Sequence, residues 1–88
     1  MAWMLKFEEN AAREIRKLDP QIRRRIRNYL EQRVLSVDDP RKRGKPLRGS
    51  KSRLWRYRVG DYRIVCEIQD NELLILVIRI GHRRNVYQ

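Results

Sequence analysis

The chain has 88 residues, which is enough for one small domain with a modest core. Lys and Arg number 22 against 11 Asp and Glu, and the net charge of +11 favours a polyanionic partner, most simply nucleic acid. The sequence contains no transmembrane run, signal peptide or basic amphipathic segment, so we expect a cytoplasmic protein that does not bind membranes. One Cys and one His argue against a protein-only metal site, and no cofactor is expected.

The first forty residues predict a strand followed by two tightly joined helices. Residues 3–7 are a short apolar run, and Glu8 and Glu9 suit a helix start, where the helix dipole favours carboxylates. Asp19 and Pro20 predict a second start, as N-cap and first helical residue. Apolar residues recur at helical spacing, at Ala11, Ile15, Leu18, Ile22, Ile26, Tyr29, Leu30 and Val34. We interpret the polar residues opposite them on the second helix as a solvated face: Arg23, Arg24, Arg27 and Asn28.

A basic segment with many turn-forming residues comes next. Residues 36–52 interrupt the helical pattern, and Asp39 with Pro40 marks a turn. Leu47 lies within the basic run as an apolar anchor, so we expect an ordered loop that leads into a sheet. Because no linker composition or internal repeat divides the sequence, we expect one domain over residues 1–88.

Residues 55–66 predict a β-hairpin that turns at Gly60 and Asp61. A two-residue loop sets the register, which pairs Val59 with Tyr62, Arg58 with Arg63, Tyr57 with Ile64, Arg56 with Val65 and Trp55 with Cys66. One face then turns Trp55, Tyr57, Ile64 and Cys66 towards the core, where Cys66 acts as a small hydrophobe.

The other face of this hairpin carries Arg56, Arg58 and Arg63, which we call the arginine patch. Like charges directly opposite each other on neighbouring strands destabilise a sheet by roughly 0.2–1 kcal/mol. Guanidinium groups offer paired donors that match phosphate. A solvated charged face is the alternative interpretation, but the clustering of like charges favours an anion-binding site.

The last strand is predicted over the apolar run 73–80. If Asp70 and Asn71 form a two-residue turn, Arg63 lies opposite Ile78, and the tail that begins at Gly81 emerges beside the arginine patch. The tail would bring Arg83, His82 and Tyr87 to the patch. Arginines can stabilise charge on a phosphoryl group, and Tyr or His can exchange a proton, so this set suits cleavage of RNA by its own 2′-hydroxyl.

These elements, in this order, resemble the RelE family of bacterial toxins, in the RelE/ParE superfamily of type II toxin–antitoxin systems. The resemblance rests on KPLRG at 45–49, WRYRVGDYRIVCEI at 55–68 and GHRRNVY at 81–87. It implies an α+β fold with an N-terminal strand and a helical hairpin on a small antiparallel sheet. It also implies a metal-independent endoribonuclease that cuts messenger RNA in the ribosomal A site. The implied partners are the ribosome with its 16S rRNA, messenger RNA, and a cognate antitoxin, through which alone operator DNA is bound.

The resemblance also assigns roles to individual residues. Arg63 resembles the transition-state arginine of the family, Arg83 the second arginine at the scissile phosphate, and Tyr87 the tail tyrosine that stacks on or activates the substrate. Arg56 and Arg58 stand where several members have lysines, and because arginine does not lose its proton, these two can only bind phosphate and stabilise charge. The general base is therefore Tyr87, His82 or water. Further expected RNA contacts are Lys45, Arg48, His82 and Arg84.

Two other functions remain open on the sequence. A ParE-like protein would inhibit DNA gyrase without chemistry, and a plain basic module would bind nucleic acid without arresting growth. The combination of Arg63, Arg83 and Tyr87 favours the endoribonuclease, because ParE-like members generally lack the basic cluster with a tail tyrosine.

Overall fold

A helical hairpin packs on one face of a five-stranded sheet in the computed structural model, which describes residues 3–36, 38–48 and 54–82. The strands and helices in chain order are β1 (Met4–Phe7), α1 (Glu9–Arg16), α2 (Pro20–Tyr29), β2 (Lys45–Pro46), β3 (Leu54–Val59), β4 (Tyr62–Gln69) and β5 (Leu74–His82). A π-helical turn at Leu30–Val34 continues α2, and 3₁₀ turns lie at Pro40–Lys42 and Asp70–Glu72. No helix in these ranges is long and apolar enough to cross a membrane.

The sheet has the order β1-β5-β4-β3-β2 and is mixed. The strand β1 runs parallel to β5, and the other three neighbouring pairs are antiparallel. The predicted α+β class and the helical hairpin on a sheet are confirmed. The N-terminal strand β1 forms one edge of this sheet and pairs with β5 in parallel. The apolar run 3–7 did not predict this pairing.

The helices begin where the sequence predicts. Glu8 is the N-cap of α1, and its side chain accepts a hydrogen bond from the Asn10 backbone N–H at 2.7 Å. Pro20 is the first residue of α2, and Asp19 precedes it without a side-chain capping hydrogen bond. The apolar stripe is confirmed, because Ala11, Ile15, Ile26, Leu30 and Val34 are all buried in the core.

The core lies between the helices and the sheet face that carries Tyr57, Ile64 and Cys66. Each of these three side chains is almost fully buried, and burying a large apolar side chain such as that of Ile64 contributes about 1.5–3 kcal/mol. Burial raises the pKa of the Cys66 thiol, so it stays protonated and packs as a hydrophobe, as predicted. Trp55 is half-buried at the margin of this core, and its Nε1 donates to the Arg43 carbonyl at 2.6 Å.

The register of the β3–β4 hairpin is the predicted one at every position from Trp55–Cys66 to Val59–Tyr62. The turn contains Gly60 in the left-handed region, with φ +60°, followed by Asp61. This two-residue loop leaves no freedom in the register, because each strand residue must pair by counting outward from the turn.

The predicted register of β4 with β5 is wrong. The connection is a 3₁₀ turn at Asp70–Glu72 followed by Leu73 at φ +51°, so Gln69 pairs with Leu74. A β-bulge between Val65 and Cys66 shifts the pairing again. Arg63 therefore lies opposite Gly81, not Ile78, and the strand continues to His82.

The basic loop is ordered as expected over residues 38–48, where several contacts hold it against the sheet. The Trp3 indole donates to the Asp38 carbonyl at 3.2 Å, and the buried Tyr57 hydroxyl donates to the Pro40 carbonyl at 2.8 Å. Arg41 makes a two-pronged ion pair with Asp70, at 2.9 and 2.8 Å. The backbone N–H of Leu47 donates to the Leu54 carbonyl at 3.1 Å. Residues 37 and 49–52 of the predicted loop lie outside the described ranges.

Candidate functional site

The arginine patch forms on the sheet face that points away from the helices. Arg58 lies directly opposite Arg63, and Arg56 precedes Arg58 by two residues on the same face of β3. The Arg58 side chain is exposed, whereas Arg56 and Arg63 are half-buried. The Nε atom of Arg63 is buried, so its guanidinium is held at the sheet surface more closely than a freely solvated side chain.

A cavity of ≈ 270 Å³ opens beside the patch at the side of β3. The strand β2 pairs only with Trp55 and Arg56, so among the described strands none covers this side of β3 from Tyr57 onward. The residues that line the cavity include four cations and no carboxylate: Tyr29, Gly44, Lys45, Arg56, Tyr57, Arg58 and Arg63. A concave site with this charge suits an anion of phosphate size.

Gly44 allows the chain to pass close enough to β3 to form this cavity. Its φ is +74°, and a Cβ at this position would lie 2.2 Å from the Arg56 carbonyl oxygen and 2.8 Å from the Tyr57 ring. Only glycine fits such an approach. The next residue, Lys45, pairs with Arg56 and so brings its ammonium to the patch.

Sequence reasoning missed Arg79. In the observed register, Arg79 on β5 pairs with Val65 on β4. Val65 also pairs with Arg56 on β3, and Arg56 pairs with Lys45 on β2. One row across four strands thus carries three cations on the outer face, and Arg79 is exposed. The only signal in the sequence is a lone charge within an apolar strand. Its face depends on the β-bulge, which the sequence pattern does not reveal.

Tyr29 is a second residue that the sequence assigned differently. It belongs to the apolar stripe of α2, as predicted, but it is half-buried and also forms a wall of the cavity. Its ring centre lies 6.2 Å from that of Tyr57. The helix is therefore part of the site, which the hairpin pattern alone did not show.

The remaining predicted site residues are placed as follows. His82 pairs with Tyr62, and its ring meets the Tyr62 ring edge-on with centres 5.7 Å apart. Tyr62 packs against the core, so His82 lies on the face opposite Arg63, and the expected convergence of His82 with the arginines needs correction. Arg48 is exposed beyond β2 and does not line the cavity. Arg83, Arg84 and Tyr87 lie outside the described residues.

The described lining of the cavity can bind and stabilise charge. Arginine keeps its proton at any relevant pH. Burial raises the pKa of Tyr57, and its hydroxyl donates to Pro40, so this phenol does not act as a base. No group of three or more potential metal ligands occurs within the described ranges. Arg56, Arg58 and Arg63 are therefore suited to hold a phosphoryl group by charge and hydrogen bonds.

Comparison with known proteins identifies the family. The model of the family "ParE toxin of type II toxin-antitoxin system, parDE" matches residues 5–87. The chain is 33% identical to the mRNA interferase toxin RelE of Escherichia coli strain K12 over 94% of this chain and 85% of the relative. It is 27% identical to toxin RelG of Mycobacterium tuberculosis over 100% of this chain and 99% of the relative.

Solved structures agree with the sequence comparisons. A chain of the toxin–antitoxin complex RelBE2 from Mycobacterium tuberculosis matches with a TM-score of 0.82 at 26% identity, covering 97% of this chain and 95% of that chain. A chain of the intact Escherichia coli RelBE toxin–antitoxin complex matches with a TM-score of 0.76 at 28% identity, covering 92% and 96%. The chain therefore belongs to the RelE family of toxins, within the RelE/ParE superfamily of type II toxin–antitoxin systems.

Proposed function

We propose that this toxin is an endoribonuclease that cuts messenger RNA in the A site of the ribosome and so stops translation. The observation that carries the proposal is the cationic cavity, in which Arg58 and Arg63 lie opposite each other beside Arg56 and Lys45. The name of the Escherichia coli relative, an mRNA interferase, supports the same activity.

In the proposed mechanism the 2′-hydroxyl of the RNA attacks the adjacent phosphorus. The bond to the 5′-oxygen of the next nucleotide breaks, which leaves a 2′,3′-cyclic phosphate and a free 5′-hydroxyl. Negative charge grows on the phosphoryl oxygens, where Arg63 is the best-held donor because its Nε is buried and its strand lies inside the sheet. Arg56, Arg58 and Lys45 bind the flanking phosphates.

The tail is expected to complete this site. Gly81 lies opposite Arg63, so the described part of β5 ends one residue beyond the patch, at His82. Arg83 would add a second cation at the scissile phosphate, and Tyr87 would stack on the substrate or take up the proton of the 2′-hydroxyl. The position of His82 on the other face leaves Tyr87 and water as the candidate bases. Arg84, Arg48 and His82 would make outer contacts with RNA.

The proposed partners are the ribosome with messenger RNA and a cognate antitoxin. The two solved relatives compared above come from toxin–antitoxin complexes, which supports an antitoxin partner for this chain. The net charge of +11 suits a site built of ribosomal RNA. Operator DNA would be reached only through the antitoxin complex.

Purified protein with ribosomes that carry a defined messenger RNA tests the proposal. We expect a single break within the A-site codon, with a 2′,3′-cyclic phosphate on the upstream fragment and a 5′-hydroxyl on the downstream fragment. Naked messenger RNA should be cut far more slowly. A parallel DNA gyrase supercoiling assay tests the ParE-like alternative. Inhibited gyrase together with intact messenger RNA would overturn the endoribonuclease.

A further inference from the structure

We propose that a groove between α2 and the tip of the β3–β4 hairpin binds the phosphate backbone of RNA at a second position, next to the arginine patch. We call it the helix groove. Its volume is ≈ 410 Å³, and the side chains that matter to the inference are Arg25, Asn28, Gln32, Arg33 and Arg58. The inference rests on the proposed function, because it takes RNA as the partner.

The helix groove continues from the cavity at the arginine patch. Both are lined by Arg58 and Tyr29, so the two concave surfaces meet at these side chains. The path runs from the outer sheet face at Arg63, around the side of β3 that β2 leaves uncovered, to the surface of the helix at Arg33. A single strand bound at the patch therefore has a cationic path for its next phosphates.

The charge of the helix groove matches a phosphate backbone. Its lining contains the guanidinium groups of Arg25, Arg33 and Arg58 and no carboxylate. Across the described ranges, none of these three groups has an acidic oxygen within 4.0 Å. The positions three and four residues from Arg25 on α2 are also without acidic residues, so the usual helical ion pairs that tether a solvated arginine are missing there. Asp61 lines a neighbouring depression that shares Arg25, Val59 and Gly60 with the groove, but its carboxylate makes no ion pair with Arg25 within 4.0 Å.

Arg25 and the amide side chains of Asn28 and Gln32 offer hydrogen-bond donors along the groove. The Arg25 guanidinium lies against the hairpin turn, since a Cβ on Gly60 would be 3.3 Å from its Nη1. Asn28 and Gln32 are four residues apart, so they lie on the same side of the helix, and both can donate hydrogen bonds to phosphate oxygens. Arg27, by contrast, packs over the Phe7 ring at 5.3 Å and points elsewhere.

The test compares the double variant Arg25→Gln/Arg33→Gln with Arg16→Gln/Arg24→Gln, which removes the same charge from exposed helix positions outside the groove. Two probes are used: a single-stranded 2′-O-methyl oligonucleotide, which resists attack by a 2′-hydroxyl, and vacant ribosomes. Affinity is measured over a series of salt concentrations. For each phosphate that the variant no longer neutralises, the log–log salt slope on a single strand should fall by about 0.7. Arg25→Lys/Arg33→Lys should keep most of the slope, because the charge remains.

The two probes identify which RNA occupies the groove. A reduced slope on the oligonucleotide shows that the groove holds the messenger strand, and a reduced slope on vacant ribosomes alone shows that it holds ribosomal RNA. If the double variant Arg25→Gln/Arg33→Gln has the same salt slope as the control variant on both probes, the inference is overturned. This outcome is separate from failure of the proposed function, in which wild-type protein leaves programmed messenger RNA intact whatever the slopes show.

Discussion

Arg58 and Arg63 lie directly opposite each other on β3 and β4, so two like charges meet on one face of the sheet. Such a pair destabilises a sheet by roughly 0.2–1 kcal/mol relative to a neutral pair. We expect Arg58→Glu to raise the stability of the fold by about that amount, because the new carboxylate faces Arg63. Urea unfolding measures the change.

The same variant should bind RNA less tightly. This result would link the repulsion between Arg58 and Arg63 to RNA binding. Added salt should reduce the difference in unfolding free energy between Arg58→Glu and wild type. Salt screens the repulsion between Arg58 and Arg63 in wild type, and it screens the attraction between the introduced carboxylate and Arg63 in the variant. Arg24→Glu is the matched control, because it makes the same charge change at an exposed site on α2. If Arg58→Glu is less stable than wild type, the two guanidinium groups do not repel each other in the folded protein.

Gly44 and Gly60 both have positive φ, but they differ in what surrounds them. A Cβ on Gly44 would lie 2.2 Å from a backbone oxygen of β3, which cannot move without breaking the sheet, whereas a Cβ on Gly60 would meet the movable Arg25 side chain at 3.3 Å. We expect Gly44→Ala to cost roughly 2–4 kcal/mol and Gly60→Ala about 1 kcal/mol. Thermal unfolding compares them. Equal losses would show that β2 does not hold residue 44 tightly against β3.

The Tyr57 hydroxyl fastens the basic loop to the core through the Pro40 carbonyl. Tyr57→Phe should lower stability by about 1–3 kcal/mol, because it leaves a buried carbonyl without its donor. For a domain of this size each 1 kcal/mol lowers Tm by roughly 4–8 °C. Tyr29→Phe is the control, since the Tyr29 hydroxyl makes no hydrogen bond within the described part of the chain. A similar Tm for both variants would contradict the role of the Tyr57 contact.

The ion pair of Arg41 with Asp70 predicts a dependence on pH. The hydrogen bonds from Arg41 lower the pKa of the Asp70 carboxyl, so the pair stabilises the fold above the unfolded pKa of about 3.9 and loses its contribution as pH falls through the folded pKa. The Asp70 side chain is 58% exposed and that of Arg41 is 33% exposed, so water screens the pair, and we expect Asp70→Asn to cost only about 0.2–1 kcal/mol at pH 7. The difference from wild type should vanish once the pH lies below the folded pKa of Asp70, where both the folded and the unfolded state are protonated. A difference that persists there would exclude ionisation as its cause.

The sequence predicts the β3–β4 hairpin in full because Gly60 and Asp61 form a loop of minimal length. It does not predict the register of β5, because a 3₁₀ turn and Leu73 at φ +51° replace the expected turn at Asp70 and Asn71. Because of the β-bulge between Val65 and Cys66, Arg79 lies on the sheet face that carries the arginine patch. No local sequence pattern predicts this bulge. Tyr29 lines the cavity and the helix groove, and Arg25 lines the helix groove, because the helix packs against the hairpin. The residue pattern of a single strand or helix does not predict this packing.

Single-turnover cleavage of A-site messenger RNA by Arg63→Ala tests the proposed active site most directly. Removing one well-placed donor to a developing charge costs about 2.7–4 kcal/mol in other enzymes, so we expect a rate roughly 100–1,000-fold below wild type. Arg63→Lys should recover only part of the loss, because a point charge does not replace the paired donors of the guanidinium. Arg24→Ala should cut at the wild-type rate, and thermal unfolding should show Arg63→Ala folded, since its side chain faces away from the core. If Arg63→Ala cuts at the wild-type rate, or is slow only because it unfolds, Arg63 is not the transition-state donor.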